Sequence, residues 1–409
     1  MVSATSEPTG DPARRVLLDA ASGPLHPAAR ELLVAALERG WADPGRGYAE
    51  AAAARRMLDQ ARATLAEGLG VRPEEVSFTG SGAQALRLGL TGLRYAARRR
   101  GPHVVVSAVE HSAVLVTARD AGYCWYAGRS PQDLATVDPA SADLPPVAVD
   151  RLGRLDLSAW AAALDRPGVA AAALQAANGE VGTRQPLAQA REATQGRGIP
   201  LLVDATSTLG RDPVPTDYDV LTGDARSWGG PPGVGVLVVP ARTRWRRPGG
   251  WSPAEGGRTD DDPVVPLVLA AAEAWRQTAT ERAAEAADAH ALIGTIRAAA
   301  AGIPDTEVVG DPEDRLPHVS TFSCLFVDGE AIVAELDRRG FAVASGSACT
   351  ASTLEPSHVL RAMGVLTHGN VRLTLPLRSI TPQRTDEVAR FCAVLPEAVA
   401  AVRGRLRPR

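Results

Sequence analysis

The segment ASGSACTASTLEPSHVLRAMG, residues 344–364, sets Cys349 among small, turn-forming residues just after the apolar run FAV. A thiol in an exposed Ser/Gly loop suits sulfur chemistry in which the attacking group travels between a substrate and an acceptor, since reactivity needs access and thiolate character. From composition alone, an ordinary surface cysteine is the other reading. Three further residues sit in or at the ends of apolar runs. His111, in SAVEHSAV, is either a site residue at a strand end or a hydrogen-bonded structural histidine. Asp204 ends PLLVD, where a carboxylate must be paired or solvated; it either holds a cationic ligand group or caps the next segment. Arg372, in NVRLTL, is either one residue of an exposed strand face or a bidentate clamp on a carboxylate. The turn FTGSG, 78–82, opens a helix and carries a weak signature of an anion site at a helix N-terminus. One absence bears on all of these. Lys and Arg together number 44 and every one is Arg, so no side-chain amine exists to form a Schiff base.

These residues need a frame. HPAARELLVAALERGW (26–41) and AAAARRMLDQARATLAEGL (51–69) have helical periodicity. VSFTG (76–80), HVVVSAV (103–109), VAAAALQ (169–175), PLLVDA (200–205) and GVLVVP (235–240) read as short strands. Strands alternating with helices predict a mostly parallel sheet covered on both faces, with its site at the carboxyl ends of the strands. EHS, ANGE, DAT and ARSWGG all fall at such ends. A Gly/Pro/Asp-rich break at 246–263 precedes a stretch predicted as one long helix or two joined ones, and then a smaller α+β region.

The chain has 409 residues, of which 45% are hydrophobic and 22% charged, enough to bury a large core without staples. A net charge of -3 gives no footprint for nucleic acid, and no apolar run approaches the roughly 18 residues that span a bilayer. Cys124, Cys324, Cys349 and Cys392 form no CxxC pair, which predicts reduced thiols in a cytoplasmic protein. Residues 1–16 lack the order of a signal peptide and read as a disordered lead, followed by a large domain at 17–255 and a small one at 256–409 carrying the Cys349 loop.

Taken in order, these segments resemble the cysteine desulfurases of the class V aminotransferase superfamily, enzymes that use pyridoxal phosphate (PLP). The resemblance runs from LLDAASGPLHP (17–27) to RLTLPLRSITPQRTDEV (372–388), and SGSACTASTLEPSHVLRAMG is its most specific piece. It implies the α/β PLP-transferase fold of type I: a large domain with a mostly parallel, seven-stranded-type sheet flanked by helices, and a smaller α+β C-terminal domain. It also implies a homodimer. Carried over by position, Cys349 is the persulfide-bearing thiolate and His111 stacks on the cofactor ring and moves protons. Asp204 pairs with the ring nitrogen, Asn178 contacts the ring hydroxyl, and Arg372 clamps the substrate carboxylate.

The rest of that site departs from the family's pattern. Ser227 stands where the family has its Schiff-base lysine, Arg226 where it has a histidine, and Asp224 where it has a phosphate-binding serine. Ala83 replaces a hydroxyl residue, Gln84 an acid, Ser207 a glutamine, and Asp262 a threonine that reaches in from the partner subunit. Carboxylates at 224 and 262 oppose a phosphate dianion, though Arg226 can neutralise one of them. The expected protein therefore handles sulfur on a desulfurase scaffold, with no covalently held cofactor and PLP binding weak or absent, and exchanges sulfur with a donor or acceptor protein. The alternatives are an enzyme with non-covalent PLP or its amine form, releasing sulfur from L-cysteine to leave alanine, and a hetero-oligomer in which an intact relative supplies the lysine.

Overall fold

A computed structural model describes residues 15–119, 144–249, 252–345 and 356–406; Cys349, Cys124 and most of the N-terminal lead lie outside the described residues. The strands are β1 (Val16–Leu17), β2 (Val76–Thr79), β3 (His103–Val106), β4 (Val169–Gln175), β5 (Leu201–Asp204), β6 (Val220–Asp224), β7 (Gly235–Val238), β8 (Thr306–Val309), β9 (Val319–Cys324), β10 (Phe341–Ala342) and β11 (Asn370–Thr374). The α-helices are α1 (Pro27–Arg39), α2 (Ala49–Leu69), α3 (Gly82–Ala96), α4 (Ser112–Arg119), α5 (Leu157–Leu164), α6 (Leu187–Gln195), α7 (Val265–Ala301), α8 (Gly329–Arg338), α9 (His358–Met363) and α10 (Arg384–Leu406).

Six strands form the central sheet in the order β2-β7-β6-β5-β4-β3. The pairs from β3 to β6 are parallel, and β7 runs antiparallel to both of its neighbours. Six strands are thus described where the resemblance implies a seven-stranded type. The sequence reading passed over β6, because its DVLTGD run is short and merges into the Gly/Pro turn.

Alternation explains why both faces of the sheet are covered. On β4, Ala172 and Leu174 enter one core while Ala171 and Ala173 enter the other. Leu201 and Val203 of β5 likewise oppose Leu202, and Val236 and Val238 of β7 oppose Leu237. Strands buried on both faces have to be apolar throughout, which is why the parallel ones read as unbroken apolar runs. Helix α2 covers one face with Ala51, Ala54, Leu58, Ala61, Leu65 and Leu69, at three- and four-residue spacing. It stops at Gly70, whose φ of 69° is a left-handed conformation that glycine adopts without steric cost.

A second core gathers β8, β9 and β11, helices α8 and α10, and Val16 and Leu18 from the chain's start. Helix α7 serves both cores: Val265 to Trp275 pack into the first and Ala289 to Ala300 into the second. The expected domain division at 255/256 falls just ahead of this shared helix. Between its two halves, Glu285 and Asp288 receive the buried guanidinium of Arg384 from the start of α10. No helix among the described residues is long and apolar enough to cross a membrane.

Candidate functional site

Parallel strands deliver their carboxyl ends to one edge, and the polar residues that follow them meet there. Beyond β3, the chain places Glu110 and His111. His111 is exposed, and its Nδ1 accepts the Ala113 amide at 3.0 Å at the start of α4. An accepting Nδ1 puts the proton of the neutral ring on Nε2. Asp204, at the end of β5, is buried; its Oδ1 accepts the Thr206 amide at 2.8 Å. Burial pushes this carboxyl up, while its bond from Thr206 and the nearby charge of His111 pull it down.

Glu110 was missed in the sequence, although it precedes His111 directly. Fully buried, it accepts the Gln175 amide at 3.1 Å through Oε1, while Oε2 has no partner among the described residues. Burial, and then the neighbouring Asp204 charge, hold this carboxyl well above the usual range. Two neighbouring buried carboxyls resist carrying two charges at once.

Asn178 follows β4, with its carboxamide committed to local structure. Oδ1 accepts the Glu180 and Val181 amides at 2.8 and 2.9 Å, and Nδ2 donates to the Val109 carbonyl at 3.1 Å. It ties the ends of β3 and β4 together. Ser207 lies against the same turn: a Cβ at Gly179 would stand 2.4 Å from its Oγ.

The segment after β6 holds the altered positions. Ser227 donates its hydroxyl to the Leu209 carbonyl at 2.7 Å and to the Asp224 carbonyl at 3.1 Å, so it serves as a turn bond. Asp224 Oδ2 accepts the Gly82 amide at 2.9 Å, in the first turn of α3. Arg226 grips the same carboxylate with Nε at 3.0 Å and Nη2 at 3.2 Å. Ala83 packs its methyl on the core beneath α3, and Gln84 Oε1 accepts the Gly80 amide at 2.6 Å. Asp262 is exposed.

Arg372 sits on β11 opposite Thr321 of β9, with Asp19 Oδ1 3.9 Å from its guanidinium. Its Nε has no hydrogen-bond partner among the described residues, and neither has Glu180 Oε1. Glu180, also missed in the sequence, accepts the Ser357 hydroxyl at 2.9 Å. Ala344 bridges Arg372 through a pair of backbone bonds. The segment holding Cys349 therefore leaves the described residues beside Arg372 and re-enters them beside Glu180. The two described cysteines offer no alternative nucleophile: Cys324 is buried, Cys392 half-buried, and burial pushes both thiols up.

Glu180 also yields a pH prediction. Burial raises its carboxyl from 4.5 to about 7, against the Ser357 hydrogen bond and the Arg372 charge. The unfolded chain loses this proton first, so the folded state keeps its extra stability below pH 4.5 and loses it as pH climbs toward about 7. A Glu180→Gln variant, unfolded in urea across that window, should lose stability less steeply than the parent, by up to about 1.4 kcal/mol per pH unit. Parallel slopes for the two proteins would refute the assignment.

The doubly covered, mostly parallel sheet, with His111 beyond β3 and Asp204 ending β5, is that of the type I PLP-transferase fold, which solved structures share. The family model "Aminotransferase class-V" matches residues 15–257 and 262–379. A cysteine desulfurase of Cereibacter sphaeroides is 33% identical over 414 residues, covering 95% of this chain and 97% of its own. The cysteine desulfurase IscS of Dictyoglomus turgidum is 30% identical over 379 residues, covering 89% and 90%. Among solved structures, a NifS-like protein superposes with a TM-score of 0.81 at 22% identity, covering 94% of this chain and 99% of its own. The cysteine desulfurase of Thermococcus onnurineus superposes with a TM-score of 0.77 at 20% identity, covering 95% and 96%. The chain belongs to the cysteine desulfurase family of class V aminotransferases.

Proposed function

We propose that the protein is a sulfur-transfer member of this family that carries sulfur on Cys349 and does not use lysine-anchored PLP. The observation behind this reading is that the chain has no lysine anywhere; Ser227, which the resemblance sets at the family's lysine position, ties its hydroxyl to Leu209. The residues do not fit the family's mode of holding PLP: the covalent anchor is missing, and Asp224 presents a carboxylate where a phosphate would sit. In the proposed step, the Cys349 thiolate attacks the terminal sulfur of a donor persulfide. The donor S–S bond breaks as the new one forms, and the donor departs as a thiolate, with no net oxidation. Transfer to an acceptor thiol repeats the exchange with Cys349 as the departing thiolate. Arg372 and Glu180 flank the segment's anchor points and would steer an anionic or thiol-bearing partner. By resemblance, the protein works as a cytoplasmic homodimer.

A second reading keeps enzyme activity: PLP or its amine form held non-covalently, with His111 and Asp204 as its contacts. The arrival of His111, after β3, and Asp204, at the end of β5, at the same edge of the sheet favours it. The test is equilibrium dialysis of the purified protein with PLP and visible absorbance, then addition of L-cysteine. In parallel, apo protein meets a low-molecular-weight persulfide and is mapped by mass. The carrier reading expects no retained cofactor, no sulfide from L-cysteine, and one added sulfur on Cys349. Sulfide release from L-cysteine with PLP present would overturn it in favour of the second reading.

A further inference from the structure

We infer that Asp224 is a built-in anion that closes the start of α3, and that its removal would turn this helix end into a site for a phosphate-bearing ligand. The inference rests on the proposed reading of the altered cofactor site, but it concerns a different property, and its test makes no use of sulfur.

The first turn of α3 is where the fold offers amides to an anion. Here the chain's own atoms take two of those amides. Gly82 N donates to Asp224 Oδ2 at 2.9 Å, and Gln84 N donates to the Ser81 hydroxyl at 3.2 Å. Just before the helix, Gly80 N donates to Gln84 Oε1 at 2.6 Å. Asp224 is saturated in turn. A carboxylate has room for about four donors, and this one receives Gly82 N, Arg226 N, and Arg226 Nε and Nη2. Its negative charge meets the positive end of the helix and the guanidinium together, so the cluster is neutral without a ligand.

Asp224 also packs hard against the helix start. A Cβ on Gly82 would stand 2.8 Å from Asp224 Cβ and 2.9 Å from Thr206 Cγ2. The Asp224 side chain is thus in van der Waals contact with the helix backbone, and only glycine at 82 permits it. Asp224 is anchored from its own side as well, because its position at the end of β6 is fixed by pairing with Gly235. Arg226, half-exposed, spends its planar fork on Asp224. Without that carboxylate, the same fork and the Gly82 amide would point at one vacated spot, which is the donor set a phosphate needs.

The experiment is a thermal-unfolding titration with inorganic phosphate at constant ionic strength, run on the parent protein, Asp224→Ser and Arg226→Gln. Asp224→Ser should gain about 2 to 4 °C at ligand concentrations well above its dissociation constant, whereas the parent should not move. Arg226→Gln keeps the plug and should also stay still. If Asp224→Ser fails to fold, the parent alone still decides, through the amide resonance of Gly82: it should not shift as phosphate is added. A parent protein stabilised by phosphate as much as the variant overturns the inference, as does a phosphate-dependent shift of the parent's Gly82 amide or a gain confined to Arg226→Gln. Should Cys349 prove not to carry sulfur, these readings are unaffected. Should the plug fail, the sulfur reading is still decided by persulfide mapping.

Discussion

A Cys349→Ser variant should accept no sulfur from a persulfide donor and pass none to an acceptor thiol, a loss of at least about 100-fold. A serine hydroxyl is scarcely ionised near neutrality and cannot form the S–S bond that holds the cargo. The other thiols of the described structure do not compensate. Cys324 is sealed in the second core beside Thr306, and Cys392 is half-buried on α10, both pushed away from the thiolate by burial. Mass mapping after donor treatment gives the answer directly. Parent protein should carry one added sulfur at residue 349, and the variant none. Undiminished loading of the variant, mapped to Cys124 or Cys392, would move the carrier function to another residue.

The second large effect concerns stability. Arg384 is 1% exposed at its side chain and directs Nη1 to both Glu285 Oε1 and the Pro376 carbonyl, while its remaining nitrogens reach Asp288. Glu285 also faces Arg211 at 3.6 Å, and Arg211 Nε donates to the Ser227 carbonyl at 2.7 Å. One buried network therefore joins α7, the start of α10 and the turn that holds Ser227. Breaking a buried pair strands a charge, and Arg384→Ala should cost about 3–5 kcal/mol in urea unfolding. Replacing both partners together, as Arg384→Met with Glu285→Met, should cost less than the sum of the two single changes, because the pair's own charges leave together and only Asp288 and Arg211 lose a charged partner. A single-variant loss below about 1 kcal/mol would mean that water or another cation already satisfies Glu285.

Part of this was legible without coordinates. Unbroken apolar runs and period-3.6 patterns located β2 to β5, β7 and the first helices, because strands buried on both faces must be apolar and helices on a sheet must be amphipathic. Strand β6 escaped, since its five residues end in the Gly and Asp that open the next turn. The division into domains was read from a Gly/Pro-rich break, whereas packing runs α7 through both cores and returns Val16 and Leu18 to the second.

At the site, residue types and their neighbours picked out Cys349, His111, Asp204 and Arg372, whereas Asn178 and the departures at 224, 226 and 227 came only from the resemblance. The absence of lysine needs no structure at all. A Schiff base requires an amine, and composition decides whether one exists. The partner that each polar group chooses was not legible, because those partners come from distant parts of the chain. Only the fold brings Asp224 onto Gly82, 142 residues away, and Ser357 onto Glu180, 177 residues away. The resemblance also set two carboxylates, Asp224 and Asp262, the latter from the partner subunit, against a phosphate dianion. Tertiary structure supplied what neutralises the first of them: Asp224 is held by Arg226 and by the amide of Gly82. A side chain's chemistry is fixed by its type, but its charge balance is set by what the fold places within hydrogen-bond reach.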